Sequence, residues 1–147
     1  MSARIGGRLS VVVVSAWLIC GAHADGEPIR KLSICELAKL GKEMDGHPVR
    51  VSAIYVTDLM HSSVLKDRHC SMEGIAPLEA DDGTQDPSVD KFDTAMWGKL
   101  GDRKLRVFSV DVSGTYHWRG DETPHGALAI EKVWHFERRH GDWKSAK

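Results

Sequence analysis

Val49, Val51, Ala53 and Tyr55 alternate with Arg50 and Ser52, the two-residue period of a half-buried strand. Ile54 and Val56 carry the apolar run onto the opposite parity, which predicts a bulge or strong coiling in a first strand over 49–58. Val64 and Leu65 mark a short second strand over 63–70, and a third spans 74–80 until Asp81-Asp82-Gly83 breaks it. Phe108, Val110, Val112, Gly114, Tyr116 and Trp118 share one face of a fourth strand over 104–118, with a kink or bulge expected at Gly114. After a loop over 119–126, a fifth strand runs over 127–138 and a polar tail over 140–147.

Two stretches carry helical signals instead. Ser33 and Glu36 have capping-box spacing, Leu37, Ala38 and Leu40 form an apolar side, and Gly41 stops a helix over 33–40. Asp86-Pro87 opens a second helix with a capping acid followed by proline at the first helical position. Its stripe is Val89, Phe92, Met96 and Leu100, and Gly101 ends it. Between the first helix and the first strand, Asp45-Gly46 and Pro48 supply turn chemistry. The chain therefore reads as mainly β: five antiparallel strands behind an N-terminal helix, with a second helix between strands three and four. That order is the plan of a five-stranded OB-like barrel. A five-stranded sandwich or a helix-on-sheet α+β domain is the rival arrangement.

The first 24 residues lie outside this pattern. Arg4 and Arg8 precede an apolar run from Leu9 to Cys20, and Ala22-His23-Ala24 is a small-x-small cleavage site. These are the three parts of a secretory signal, cut between Ala24 and Asp25. The run is shorter than the roughly 20 residues that cross a bilayer. A lipid anchor on Cys20 is opposed by the bulky Trp17-Leu18-Ile19 before it. Residues 25–147 then form a single domain, periplasmic or secreted, with no further membrane span. Cleavage removes two arginines and no acid, taking the net charge from −1 to −3. That balance disfavours nucleic acid as a partner.

Cys35 and Cys70 are the two cysteines beyond the leader, and an oxidising compartment predicts a disulfide between them. No Cys-x-x-Cys pair argues for redox exchange. Metal ligation would have to recruit His69, His61 or His47, at spacings that match no closed zinc pattern.

The stretch from Ser33 to Cys70 resembles that of small secreted bacterial OB-fold-like proteins of unassigned function. Cys35, Asp45-Gly46 before Val49-Arg50-Val51, and Leu65-Lys66-Asp67-Arg68-His69-Cys70 carry the resemblance. Gly114-Thr115-Tyr116 and Leu128-Ala129-Ile130 extend it into the last two strands. The periplasmic bacterial OB-fold family, thought of as ligand-binding, is similar in plan. No binding residue of that family transfers position by position.

No nucleophile elbow, His-Glu-x-x-His run or phosphate-cradling glycine loop occurs, so neither an enzyme nor a cofactor is implied. Asp81-Asp82, Asp86 and Asp90 have the composition of a calcium loop without its positional pattern. Four tryptophans follow the leader: Trp97, Trp118, Trp134 and Trp143. Tyr116 and Trp118 offer a stacking surface at a strand end, with Arg119 and His125 in the adjoining loop as further ligand contacts. The first reading is thus an exported, non-enzymatic OB-like binding module of the bacterial envelope. Its partner would be a small ligand, an oligosaccharide or an envelope protein, held by loops near Ser62 and Asp121. One alternative is a metal-dependent hydrolase or metal carrier using His61, His69 and His125, with His61 and His125 expected on the same side of the barrel. Another is a structural component of an envelope assembly.

Overall fold

The computed structural model describes residues 28–70, 74–81, 83, 85–98 and 105–140. The expected leader with its cleavage point, Leu100, Gly101 and most of the polar tail lie outside the described residues.

Both helices begin as their sequences dictate. In α1 (Ile34–Leu40) the Glu36 N–H donates to Ser33 Oγ at 3.1 Å, and the Ser33 N–H donates to Glu36 Oε2 at 2.8 Å. The Ser33 backbone donor holds the Glu36 carboxyl below its ordinary value. Gly41 closes the helix at φ +49°, and a 3-10 turn over Gly41–Met44 follows. In α2 (Pro87–Trp97) the Asp86 carboxylate accepts the Ser88 N–H at 2.9 Å. This helix stops at Gly98, short of the expected Gly101, where the Arg106 guanidinium donates to the Met96 carbonyl. A cation at this end satisfies a carbonyl that lacks a helical partner.

The strands are β1 (Arg30–Leu32), β2 (Pro48–Thr57), β3 (Ser63–Lys66), β4 (Ala76–Glu79), β5 (Arg106–Trp118) and β6 (Gly126–Arg139). They form one mixed sheet in the order β1-β2-β5-β6-β4, with β3 also on β2. β1 runs parallel to the first part of β2, from Arg30↔Val49 to Leu32↔Val51. β3 runs antiparallel to its second part, from Ile54↔Lys66 to Thr57↔Ser63. β4 lies parallel to β6. The chain is mainly β, as its pattern predicts, but the expected set of five antiparallel strands is corrected in two ways. There is a sixth strand, β1, and two of the pairings are parallel. Nor is the sheet closed into a barrel. Between β3 and β4 runs only an isolated bridge, in which Leu65 and Ile75 exchange two N–H···O bonds of 2.9 Å.

α1 and α2 cover the inner face of the sheet. Ile34 and Leu37 of α1 join Val49, Val51, Val112, Tyr116 and Leu128 in the main core. α2 adds Val89 and Phe92, with Met96 partly buried behind them. The Phe92 ring meets Tyr55, Phe108 and Phe136 edge-on at centroid distances of 5.2, 5.4 and 5.3 Å, the arrangement favoured by aromatic quadrupoles.

The change of parity in β2 is not a bulge. Its register with β5 is unbroken from Pro48↔Thr115 to Thr57↔Arg106. Instead both faces are covered there, because Ile54 and Val56 join Val107 and Val64 in a second, smaller cluster. The irregularity lies between β5 and β6, with register shifts at Asp111/Val112 and Ser113/Gly114. Gly114 is required at that point, since a Cβ there would collide with the Ala129 carbonyl.

Candidate functional site

The residues expected to meet a ligand sit where β5 passes into the loop leading to β6. Tyr116 is fully buried in the main core, and burial pushes its phenol up from the ordinary value. Its expected role as a stacking surface is therefore corrected: the ring faces core, and its hydroxyl has no hydrogen-bond partner among the described residues. Trp118 is half-buried against that core. Its ring comes within 3.2 Å of the position a Cβ on Gly41 would take, and it stacks on His125 at 5.8 Å with 24° between the planes. The Trp118 N–H donates to Asp45 Oδ1 at 2.9 Å. Arg119 pairs with the Glu122 carboxylate, and His125 Nδ1 lies 2.8 Å from the Gly120 carbonyl oxygen. The structure thus brings Trp118, Arg119 and His125 into one hairpin, where Trp118 stacks on His125 while Glu122 and Gly120 take up the polar groups of Arg119 and His125.

The three histidines weighed as metal ligands are separated. Thr57 pairs with Arg106 at the start of β5, whereas Gly126 pairs with Trp118 at its end. His61 and His125 therefore stand at opposite ends of a 13-residue strand, roughly 40 Å at extended rise, and do not share one side. His61 is 82 % exposed, with Nδ1 3.7 Å from Asp58 Oδ2. Among the described residues no group of three His, Cys, Asp or Glu side chains could hold a metal ion. Asp86 of the acidic stretch caps α2 and lies 3.7 Å from Lys132 Nζ.

The loop holding His61 is firmly built. Asp58 Oδ1 accepts the N–H groups of Met60, His61 and Ser62 at 3.0, 2.8 and 2.9 Å. Thr57 Oγ1 accepts the Leu59 N–H at 2.9 Å, and Leu59 adopts φ +64°. Those three backbone donors hold the Asp58 carboxyl far below the ordinary carboxylate range.

A groove of about 640 Å³ opens where the end of β3 overhangs the outer face of the sheet. Ser52 and Ile54 of β2, with Ser109 and Asp111 of β5, line its floor, and His135 of β6 borders it. Lys66, Asp67, Arg68 and His69 form its wall. That wall is anchored at both ends, by the Ile54↔Lys66 pairing and by the Cys35–Cys70 disulfide with Cα atoms 6.0 Å apart. Within it, Asp67 Oδ1 accepts the His69 N–H at 2.9 Å.

Asp111 on the floor is already neutralised. Arg50 donates to both of its oxygens at 2.8 Å, and this pair holds the Asp111 carboxyl below its ordinary value. Arg50 and Lys132 each stand 4.3 Å from the centroid of Trp134, whose Nε1–H donates to Ser113 Oγ at 2.9 Å. With Asp111 paired to Arg50, the charged side chains left in the lining are Lys66 and Arg68 against Asp67, a small cationic excess, with His69 and His135 beside them.

Of this set, only His69 stands out in the sequence as a candidate for chemistry. Asp111 and His135 carry no such signal, because sheet pairing, not spacing, brings them beside Lys66 and Arg68. The one visible signal was the basic run Lys66-Asp67-Arg68-His69 directly before Cys70. No protein family, no curated protein and no solved structure matches the chain, so the site is read from its own geometry.

Proposed function

We propose that the chain is an exported, non-enzymatic binding module of the bacterial envelope, built on an OB-like strand plan left open between β3 and β4, which holds the anionic group of a small ligand in the groove under β3. The observation that carries this reading is the basic wall standing over a serine-lined strand face whose one acid is already paired. Such a surface attracts carboxylate, phosphate or sulfate and leaves hydroxyl donors for orientation.

The barrel plan draws support from the pairings β3–β2–β5–β6–β4 together with the Leu65–Ile75 bridge, which would complete a ring of five strands. Export draws support from the disulfide, which persists in oxidising compartments. Among the described residues no helix is long and apolar enough to cross a membrane. Nucleic acid is a poor candidate for the anion, because the chain carries no net positive charge to hold a polyanion.

The test is an amide NMR titration of the oxidised protein with phosphate, citrate, and matched anionic and neutral cell-wall oligosaccharides. Saturable shifts at Ile54, Arg68, His69, Ser109 and His135, abolished by a Lys66→Glu, Arg68→Glu double variant that keeps its fold, are the expected result. The reading falls if no anion shifts these amides, or if the double variant binds as tightly as the parent.

A further inference from the structure

A second cavity, of about 220 Å³, lies on the other side of the sheet between α2 and β4. Its chemistry is opposite to that of the groove. Tyr55 and Phe92 form a buried aromatic floor, fixed edge-on at 5.2 Å. Leu78 and Trp97 stand at the surface, 43 % and 54 % exposed. Two carboxylates, Glu79 and Asp93, complete the lining, to which no Lys, Arg or His among the described residues contributes.

These carboxylates differ from the other acids that shape this fold. Asp58 is held by three N–H groups, Asp86 by Ser88 and Lys132, and Asp111 by Arg50. Neither Glu79 nor Asp93 has a hydrogen-bond or ion-pair partner among the described residues. Burial, and then the neighbouring charges of Glu79 and Asp90, push the Asp93 carboxyl above its ordinary value. Two like charges set beside aromatic rings, with no counter-ion among the described residues, form a site short of a cation. The volume is below the roughly 300–1,000 Å³ of drug-sized pockets, which limits the guest to a fragment. A bare metal ion suits it poorly, because the walls supply apolar carbon where a metal needs further oxygens.

We propose that the cleft between α2 and β4 binds an alkylammonium group, its charge against Glu79 and Asp93 and its carbon chain against Tyr55, Phe92 and Trp97. This site is independent of the anion-binding groove. The same chemistry is presented by a free polyamine and by a lysine side chain of a peptide, and two ligands separate these sources.

The test is calorimetric titration of the full oxidised protein with cadaverine and with a blocked Gly-Lys-Gly peptide, using 1-pentanol and magnesium chloride as controls. Amide shifts at Leu78, Asp93 and Trp97 locate the site. Saturable binding of either amine, with neither control reproducing it, is the expected result. Preference for cadaverine would name a free amine as guest, and preference for the peptide a lysine side chain. A Glu79→Gln, Asp93→Asn double variant should weaken binding about tenfold or more with no loss of Tm, since it removes charge at constant shape. Trp97→Ala should weaken it through the exposed ring alone. Equal shifts with magnesium chloride, shifts outside the cleft, or full affinity in the double variant would each overturn the proposal.

Discussion

Cys70 is bonded to Cys35 across 35 residues of sequence, so the basic end of β3 is tied to the helix packed under the opposite end of β2. The bond fixes two things together: α1 against the sheet, and the Lys66–His69 wall over the groove. Replacing both cysteines with serine should cost about 4 kcal/mol in the chain-entropy account of such a loop. The variant should also lose most of its affinity for anions under conditions where it is still folded. Denaturant unfolding combined with a phosphate or citrate titration checks both. Unchanged affinity in a folded double-serine variant would show that the wall holds its place without the bond.

Tyr116 lies inside the core, with a hydroxyl that lacks a described partner and sits where a Cβ on Gly126 would go. A buried hydroxyl without a hydrogen bond costs about 1–3 kcal/mol, so Tyr116→Phe should stabilise the protein by about 1 kcal/mol and leave ligand binding unchanged. Gly126→Ala should do the reverse, destabilising by about 1–3 kcal/mol through overpacking against the ring. Thermal melts of the two variants decide it. A loss of stability in Tyr116→Phe would mean that the hydroxyl is satisfied after all.

Much of the fold was legible in the sequence, and the misses have definite causes. Ser33 with Glu36, and Asp86 with Pro87, start their helices through local hydrogen bonds, so spacing alone identified them. The alternation in β2 and β5 was equally readable, because one face of each meets a continuous core. β1 was missed because its three residues bury only Leu32 and gain their place from distant parallel pairing with Val49–Val51. The switch of parity at Ile54 predicts a bulge or strong coiling, but a strand buried on both faces gives the same pattern. Tyr116 and Trp118 show the limit for sites: aromatic residues near a loop look alike in sequence whether they plug a core or meet a ligand. The groove was beyond reach for a related reason. Arg50 and Asp111 pair across adjacent strands, and nothing local to either residue announces it.

The Asp58 loop gives a prediction in pH. Its carboxyl is held well below the ordinary range by the Met60, His61 and Ser62 N–H groups, so the folded value lies beneath the unfolded one. The linked stabilisation is then complete above the ordinary carboxylate value and is lost only as pH falls toward the depressed one. The amide resonances of Met60, His61 and Ser62 should therefore stay fixed through about pH 4, where a free aspartate titrates. Asp58→Ala should raise hydrogen exchange at these three amides by about tenfold or more, because their acceptor is gone. A midpoint near the ordinary aspartate value in the parent protein would contradict the loop geometry.

Asp93 carries the opposite sign. Its carboxyl is raised, first by burial and then by the charges of Glu79 and Asp90, so the folded state binds a proton more readily than the unfolded chain. A group of this kind contributes stability that is fully present below its unfolded value and is lost as pH rises through the folded one. At neutral pH the ionised side chain is thus a net cost, and Asp93→Asn, which keeps the shape and removes the charge, should raise Tm. Because the side chain is partly open to water, screening limits the gain to below about 1 kcal/mol. The difference should close on acidification, once Asp93 in the parent takes up its proton. Melts of parent and variant at neutral pH and near pH 4 measure it directly. Adding a saturating alkylamine at neutral pH should raise the parent's Tm and leave that of Asp93→Asn nearly unmoved, since the guest supplies the counter-ion that the variant no longer needs.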